Sequence, residues 1–533
     1  MSSIHYPSRL CLKATISVFT LCGAFSLHAE EFSELVGTDQ ITVNNNPEPQ
    51  HVGEHGRIEA LLKPPRVERF RIDDSGTLNE APKQRKGDPT VKIGHQKTKT
   101  KPALNAALTA ASVSVASCTS TSSSLINPNF ETVKPSEPIN PSISGQAKGW
   151  CDVGDFGYSR VQVAPKKYNY VIKLSIPSNP SNPGNSSPRA AVAQTVTLAQ
   201  TSFKNVFIGG MVKAENVVGE WGSFLQANFV LNDGTTVICK TNLPNLGTFD
   251  WRWIGLNAHH CLDKDEPIKS VTVSAILQDG GTAYFDLLQL QQFNQGPGAV
   301  TIMFDDGLLS DSTIVKPYLS ALGFRGSSAV ITSQIGRPGY MSMMDLNDLP
   351  SAKWDIVSHS VTHPWFPGLS ANEASAELKK SKKILGNFNV QDFAWPYGGA
   401  DGQTTALAQK IYKSTRTYDI PDDNGYGTFP YNIRSYPIYR DDICASWFAD
   451  CSVHDYLSWI REFIDEAKKN GRWAILAFHE IVPGGPINGE YSDNDYVNSL
   501  WFFSEVVETI KNSGIQVINY VEGRKQFANV TAP

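Results

Sequence analysis

Apolar and polar residues follow two different rhythms along this chain. Between Cys118 and about Asn294, short runs such as YVIKLSIP, AVAQTVTL, NVFIGGMVKA, SFLQANFVL and SVTVSAIL either alternate or stay apolar. Gly, Pro, Asn and Asp separate them, and no helix-length amphipathic segment intervenes. A period of two bounded by turn residues predicts strands, and a succession of them predicts an all-β sandwich or jelly roll over 118–295. Beyond NQGPGA at 294–299 the rhythm changes. Strand-like runs at 300–304, 327–332, 355–358, 392–395, 414–418, 473–478 and 515–520 now alternate with helical spacing. Ala374, Leu378, Leu385 and Phe388 share one helix face, and Val497, Leu500, Phe503, Val507 and Ile510 share another. Alternating strands and helices predict a parallel sheet or barrel over 296–533, and seven strands predict an incomplete version of the eight-stranded barrel.

The first 117 residues carry neither rhythm. Arg9 and Lys13 precede the apolar run ATISVFTLCGAFSL and then HA, which predicts a secretory signal over 1–29 with Ala29 last before cleavage. The run is short for a bilayer span, and no later stretch reaches the roughly 18 apolar residues of a membrane helix. From Glu30 to Ser117 the chain is polar, proline-bearing and poor in aromatics, so a flexible leader is expected there. A formal net charge of -5 and a pI near 6.1 give no electrostatic footprint for nucleic acid. Without the signal, Cys118, Cys151, Cys239, Cys261, Cys444 and Cys451 remain, an even count that suits an oxidising compartment. Proximity suggests the pairs 118–151, 239–261 and 444–451. Secretion, to the envelope or beyond it, is the expected fate.

Candidate chemistry falls where barrel strands end, which is where the loops of such folds converge. Asp305 and Asp306 close the first strand in VTIMFDDGLLSD; a turn before Gly307 needs one carboxylate, and the second asks for a cation or a proton-transfer task. His359 and His363 follow the third strand in IVSHSVTHPWF. Four apart on one helical turn, they would project from the same side, as a divalent metal requires. With Asp306 they offer two nitrogens and one oxygen. FAWPYGG ends the fourth strand, and WAILAFHEI puts His479 at the end of the sixth. Each motif is weak alone; their joint placement on successive strand ends is what makes coincidence improbable.

The motifs MFDDG, HSVTH, WPYGG and LAFHE make the chain from about Gly298 onward resemble the NodB-like polysaccharide deacetylases, carbohydrate esterase family 4. The resemblance implies a distorted (β/α)7 barrel and a metal-dependent hydrolase, with Asp305 as general base, Asp306, His359 and His363 as ligands of a divalent metal, most simply zinc, and His479 as general acid. It further implies an oxyanion contact from a backbone N–H near Tyr397 and an acetyl-methyl pocket walled by Leu476. Two positions depart from the family pattern. The arginine that usually orients the base is Ala394 here, so that support is expected to be missing, as it is in the branch resembling poly-N-acetylglucosamine deacetylases. The aspartate that orients the acid histidine has only Asp441 or Asp442 as candidates.

In the β-rich half, INPNFE, Trp150 and the closing AYFDLLQLQ resemble galactose-binding-like jelly rolls, including carbohydrate-binding modules. That resemblance implies a structural calcium ion near Glu131 and Asp286; Asp286 also reads as an ordinary strand-end residue. Trp221, Trp251 and Trp253 could stack on sugars, although aromatics in a sandwich are more often core. The expected function is N-deacetylation of an N-acetylhexosamine polysaccharide (poly-N-acetylglucosamine, chitin-like or peptidoglycan). The rivals are an acetylxylan-type O-deacetylase and a non-catalytic carbohydrate-binding envelope protein. A non-haem iron oxygenase also uses two histidines and a carboxylate, but has no use for Asp305 or His479.

Overall fold

The computed structural model describes residues 119–120, 123–132, 147–162, 170–177, 187–241, 243, 245–262, 264–418, 423–438, 453–485 and 496–533, with a short hairpin at Phe70–Ile72 and Leu78–Glu80. The expected signal at 1–29, nearly all of the leader, and Cys118, Asp441, Asp442, Cys444 and Cys451 lie outside the described residues. Among the described residues no helix is long and apolar enough to cross a membrane.

Two sheets precede the barrel. One runs in the order Thr236–Lys240, Ser223–Leu231, Ile268–Gln278, Arg189–Thr197, Thr119–Ser120, with Cys151–Asp152 also paired to Arg189–Thr197. The other runs Gly247–Asn257, Lys204–Val218, Gly280–Asn294, Tyr170–Ile176, Tyr158–Gln162. The alternation predicts the packing: Val271, Val273, Ala275 and Leu277 face a shared core with Ile208, Val212 and Phe285 of the second sheet, while Thr272 turns the other way and meets the Thr195 hydroxyl at 2.9 Å. Cys239 and Cys261 form a disulfide inside this half, and Cys151 is also disulfide-bonded.

The barrel strands are β1 (Ala299–Phe304), β2 (Gly326–Val330), β3 (Asp355–Ser358), β4 (Asp392–Ala394), β5 (Ser414–Tyr418), β6 (Ile433–Pro437) and β7 (Trp473–Phe478). All neighbours are parallel, and β1 closes the ring by pairing with both β2 and β7. Seven strands form the ring, but one expected member is replaced. Of 515–520 only Gln516–Val517 pairs, as an eighth strand on the side of β1, and the ring takes in Ile433–Pro437 instead. Every residue of β6 is buried, so Arg434 and Ser435 break the alternation that marks a half-exposed strand. Asn519 ends the other segment by capping helix α7 (Tyr520–Phe527) in a reciprocal capping box with Glu522.

Alternation along each strand sorts residues into two cores. Met303, Ala329, Val357, Ala394, Ile433 and Ile475 fill the lumen, and α7 plugs its lower end with Tyr520 and Phe527 against Trp473. Ile302, Phe304, Ile356, Phe393, Leu476 and Phe478 face the surrounding helices. The β-rich half docks at that lower end, on the 423–430 segment between β5 and β6. Gly425 N–H donates to His259 Nε2 at 2.9 Å, Asn257 donates to the Gly427 carbonyl at 2.7 Å, and Asn205 donates to the Tyr426 carbonyl at 2.8 Å.

Candidate metal centre

The period of two that fills the lumen with Met303, Val357 and Ile475 carries on past the strand ends to Asp305, His359 and His479, which therefore point inward at the upper mouth. Asp306 (φ 76°) and Gly307 (φ 73°) then turn the chain sharply in the left-handed region. The histidine pair is not on a helical turn as the spacing suggested. Residues 359–363 form an irregular turn in which Ser360 (φ 69°) and His363 (φ 60°) are both left-handed, and the Ser360 hydroxyl accepts the His363 N–H at 2.9 Å. This turn reverses the chain, so His363 comes back over His359. Three strained non-glycine positions at one mouth are what a functional site leads one to look for.

Asp306 Oδ1 lies 3.5 Å from Nε2 of both His359 and His363, and the two Nε2 atoms are 3.2 Å apart. Donors bonded at about 2.0–2.1 Å to a tetrahedral ion lie roughly 3.3–3.4 Å from one another, so these three fit a divalent metal without rearrangement. The tautomer agrees. His359 Nδ1 is 2.8 Å from the Ala394 carbonyl, which can only accept, so the ring hydrogen sits on Nδ1 and Nε2 offers its lone pair. Burial holds both imidazoles toward the neutral form, and burial together with His359 brings His363 down to about 4. Among the described residues this is the one cluster of three His, Cys, Asp or Glu side chains that could hold a metal.

Asp305, fully buried, is built differently from its neighbour. Arg416 Nη2 donates to its Oδ2 at 2.7 Å, and the Tyr418 hydroxyl donates to the same oxygen, leaving Oδ1 without a partner. Burial alone would raise this carboxyl. Arg416, His359, His479 and the Tyr418 hydrogen bond outweigh it and hold the group well below the usual carboxylate range. The expected loss of the orienting arginine is thereby corrected: Ala394 on β4 pairs in register with Arg416 on β5, so the guanidinium arrives from the adjacent strand at the same level of the barrel. The signal in the sequence is STRTY, in which Arg416 and Tyr418 share one face of a run read only as a strand.

His479 sits at this mouth with its ring tilted against that of Tyr496, the centroids 4.6 Å apart. Tyr397 has a left-handed backbone (φ 56°), and its ring lies 4.5 Å from that of His363. Leu476 does not wall the site; it points outward among the helices, on the face of β7 opposite His479. Trp253 is core as well, wedged against Phe429 at 4.8 Å where the two halves meet. Asp311, unmarked in the sequence, is buried behind the paired aspartates with Ser328 donating to it at 2.7 Å, and burial pushes its carboxyl well up. Asp286, 4% exposed, is pushed up to about 7 by burial, with Glu131 adding to the shift.

Residues 293–413 match the model of the polysaccharide deacetylase family. YxkH of Bacillus subtilis (strain 168), named as a polysaccharide deacetylase, is 24% identical over 127 residues, which are 23% of this chain and 46% of YxkH. The match thus spans about half the length of that curated relative. Solved structures similar to this chain include the chitin deacetylase of Colletotrichum lindemuthianum (13% identity, TM-score 0.29, 43% of this chain and 89% of that one). A CE4 domain of a multidomain xylanase from the hindgut metagenome of Trinervitermes trinervoides gives 16% identity, TM-score 0.29, and 43% and 91% coverage. A CE4 family pseudoenzyme of Bacillus anthracis, BA3943, gives 13% identity, TM-score 0.27, and 43% and 66% coverage.

Proposed function

We propose that this protein is a secreted, metal-dependent deacetylase that hydrolyses N-acetyl groups of an N-acetylhexosamine polysaccharide. The observation that carries the reading is the split between adjacent carboxylates: Asp306 faces the Nε2 atoms of two imidazoles, while Asp305 is pinned through one oxygen and keeps the other free. A divalent ion on Asp306, His359 and His363, zinc by the donor set, would supply a Lewis acid and a water of lowered pKa. Asp305 Oδ1 is then the acceptor for the proton of the attacking water. The left-handed turn at Tyr397 presents backbone N–H to the developing oxyanion, and His479, protonated, gives the departing amine its proton. The disulfide at Cys239 and Cys261 supports an oxidising compartment and hence secretion. The two-sheet half is proposed as a carbohydrate-binding module with a calcium ion near Glu131 and Asp286.

Product analysis tests the reading. Incubation with chitin oligomers, poly-N-acetylglucosamine, peptidoglycan and acetylxylan should release acetate with matching new amines from a hexosamine polymer. Chelation should stop release, and zinc should restore it. Acetate from acetylxylan without amines anywhere would replace the amide reading by the ester one; no acetate from any polymer by the metal-loaded protein would leave a carbohydrate-binding role.

A further inference from the structure

We propose that Tyr418 is a positioning residue that joins Asp305 to His479 and fixes the hydrogen of His479 on Nε2; the roles of those two residues rest on the deacetylase reading above. The inference comes from hydrogen-bond polarity. A phenol has one hydrogen to give. The Tyr418 hydroxyl makes its closer contact with Asp305 Oδ2, which as a carboxylate oxygen can only accept, so the hydrogen points there. At His479 Nε2, 3.4 Å away, the phenol oxygen is left to accept, and the hydrogen on that contact must belong to the imidazole.

Among the described residues no other side-chain hydrogen bond holds the ring. His479 Nδ1 is buried and without a hydrogen-bond partner among the described residues, and the Tyr496 ring lies tilted against the imidazole at 4.6 Å. A ring contact leaves an imidazole free to flip by 180°, exchanging its nitrogens; a single directional contact at Nε2 removes that freedom. Tyr418 is itself held, because the Arg416 guanidinium lies 4.9 Å from its ring centroid while bonding the same Asp305 oxygen. Burial and the neighbouring Asp305 push the phenol well above its ordinary value, so it stays protonated throughout the neutral range. Strand β5 thus supplies at positions 416 and 418 a fixed order of groups, His479 Nε2–H to Tyr418 O–H to Asp305. Base and acid are oriented by one side chain.

Tyr418→Phe tests this, since it removes the hydroxyl and keeps the ring. In the zinc-loaded protein, nitrogen-15 spectra of the His479 ring, identified by its disappearance in His479→Gln, should show hydrogen on Nε2. In Tyr418→Phe the two tautomers should mix. Hydrogen bonds to charged groups are worth enough that kcat on the N-acetyl polymer should fall about 10- to 100-fold, with KM and zinc content unchanged. In a His479→Ala background the same substitution should have a smaller effect. An unchanged tautomer in Tyr418→Phe, or an equal loss of kcat in both backgrounds, would overturn the link by showing that the phenol serves Asp305 alone. A wild-type protein that shows the tautomer and its loss, yet releases no acetate, would sink the deacetylase reading and leave the positioning role standing.

Discussion

Each end of the barrel buries an aspartate against an arginine, and the two pairs differ in what surrounds them. At the upper mouth Asp305 pairs with Arg416 at 2.7 Å, both fully buried. At the base Asp392 pairs with Arg524 at the same 2.7 Å and takes a hydrogen bond from Ser414 at 2.8 Å. Burial pushes both carboxyls up. Against Asp305 stand Arg416, two histidines and the Tyr418 hydroxyl, and it ends far below its ordinary value. Against Asp392 stand one partly exposed arginine, a serine and more distant lysines, and burial prevails. The lesson is that an ion pair alone does not hold a buried carboxyl below its ordinary value; the number of positive and donating groups around it decides which way it shifts. The upper pair leaves an anionic oxygen free for chemistry. The lower one, on strand β4, ties down α7 and closes the lumen.

The largest expected effects lie at the mouth. His359→Ala should lose both bound metal and turnover, read by metal analysis and acetate release, because it removes a ligand with a fixed tautomer. Asp305→Asn should retain the metal and lose about 10²–10⁴ in kcat, the usual worth of a general base. The comparison breaks if Asp392→Asn, on the opposite end, lowers kcat per folded molecule in the same way.

Arg524→Met sharpens the same contrast in stability. Breaking a buried pair costs about 3–5 kcal/mol when the remaining charge stays uncompensated. Asp392 is already pushed upward and can take a proton, so the loss in urea unfolding should fall below that range, with kcat intact. A variant as stable as wild type would show that α7 does not depend on this pair.

The smallest effect is a pH slope at the base. Burial, then His260, Arg472 and Arg434, hold His259 neutral in the folded protein, where its Nε2 accepts the Gly425 N–H. The unfolded chain takes up that proton near pH 6.5, the ordinary value. Above it His259 makes no pH-dependent difference, and below it the folded state is progressively disfavoured, by up to about 1.4 kcal/mol per pH unit. Asp423 beside it and Asp355 elsewhere in the barrel, raised to about 6 and about 7 by burial, act in the opposite sense. The readout is therefore the difference in Tm between wild type and His259→Gln, which should shift in favour of the variant from pH 8 to pH 5. A constant difference would remove His259 from the docking account.

Much of this was legible along the chain because it is local. Strand-like runs placed Asp305, His359 and His479 at strand ends, turn residues marked those ends, and proximity in sequence anticipated the 239–261 disulfide. Where local spacing was the wrong guide, the reading failed: His359 and His363 meet through two left-handed residues, and Leu476 has the opposite parity to His479. Ile433–Pro437 was passed over because a strand buried on both faces need not alternate. The sequence by itself determined which residue types stand at the strand ends and that two carboxylates stand side by side there. Only the tertiary structure decided how. Arg416 and Asp305 are 111 residues apart and meet because the ring closes and registers β5 at the level of β4, a long-range pairing that no periodicity encodes. The same closure puts Tyr418 between Asp305 and His479, turning a buried arginine and tyrosine from unremarked strand residues into the support of the site.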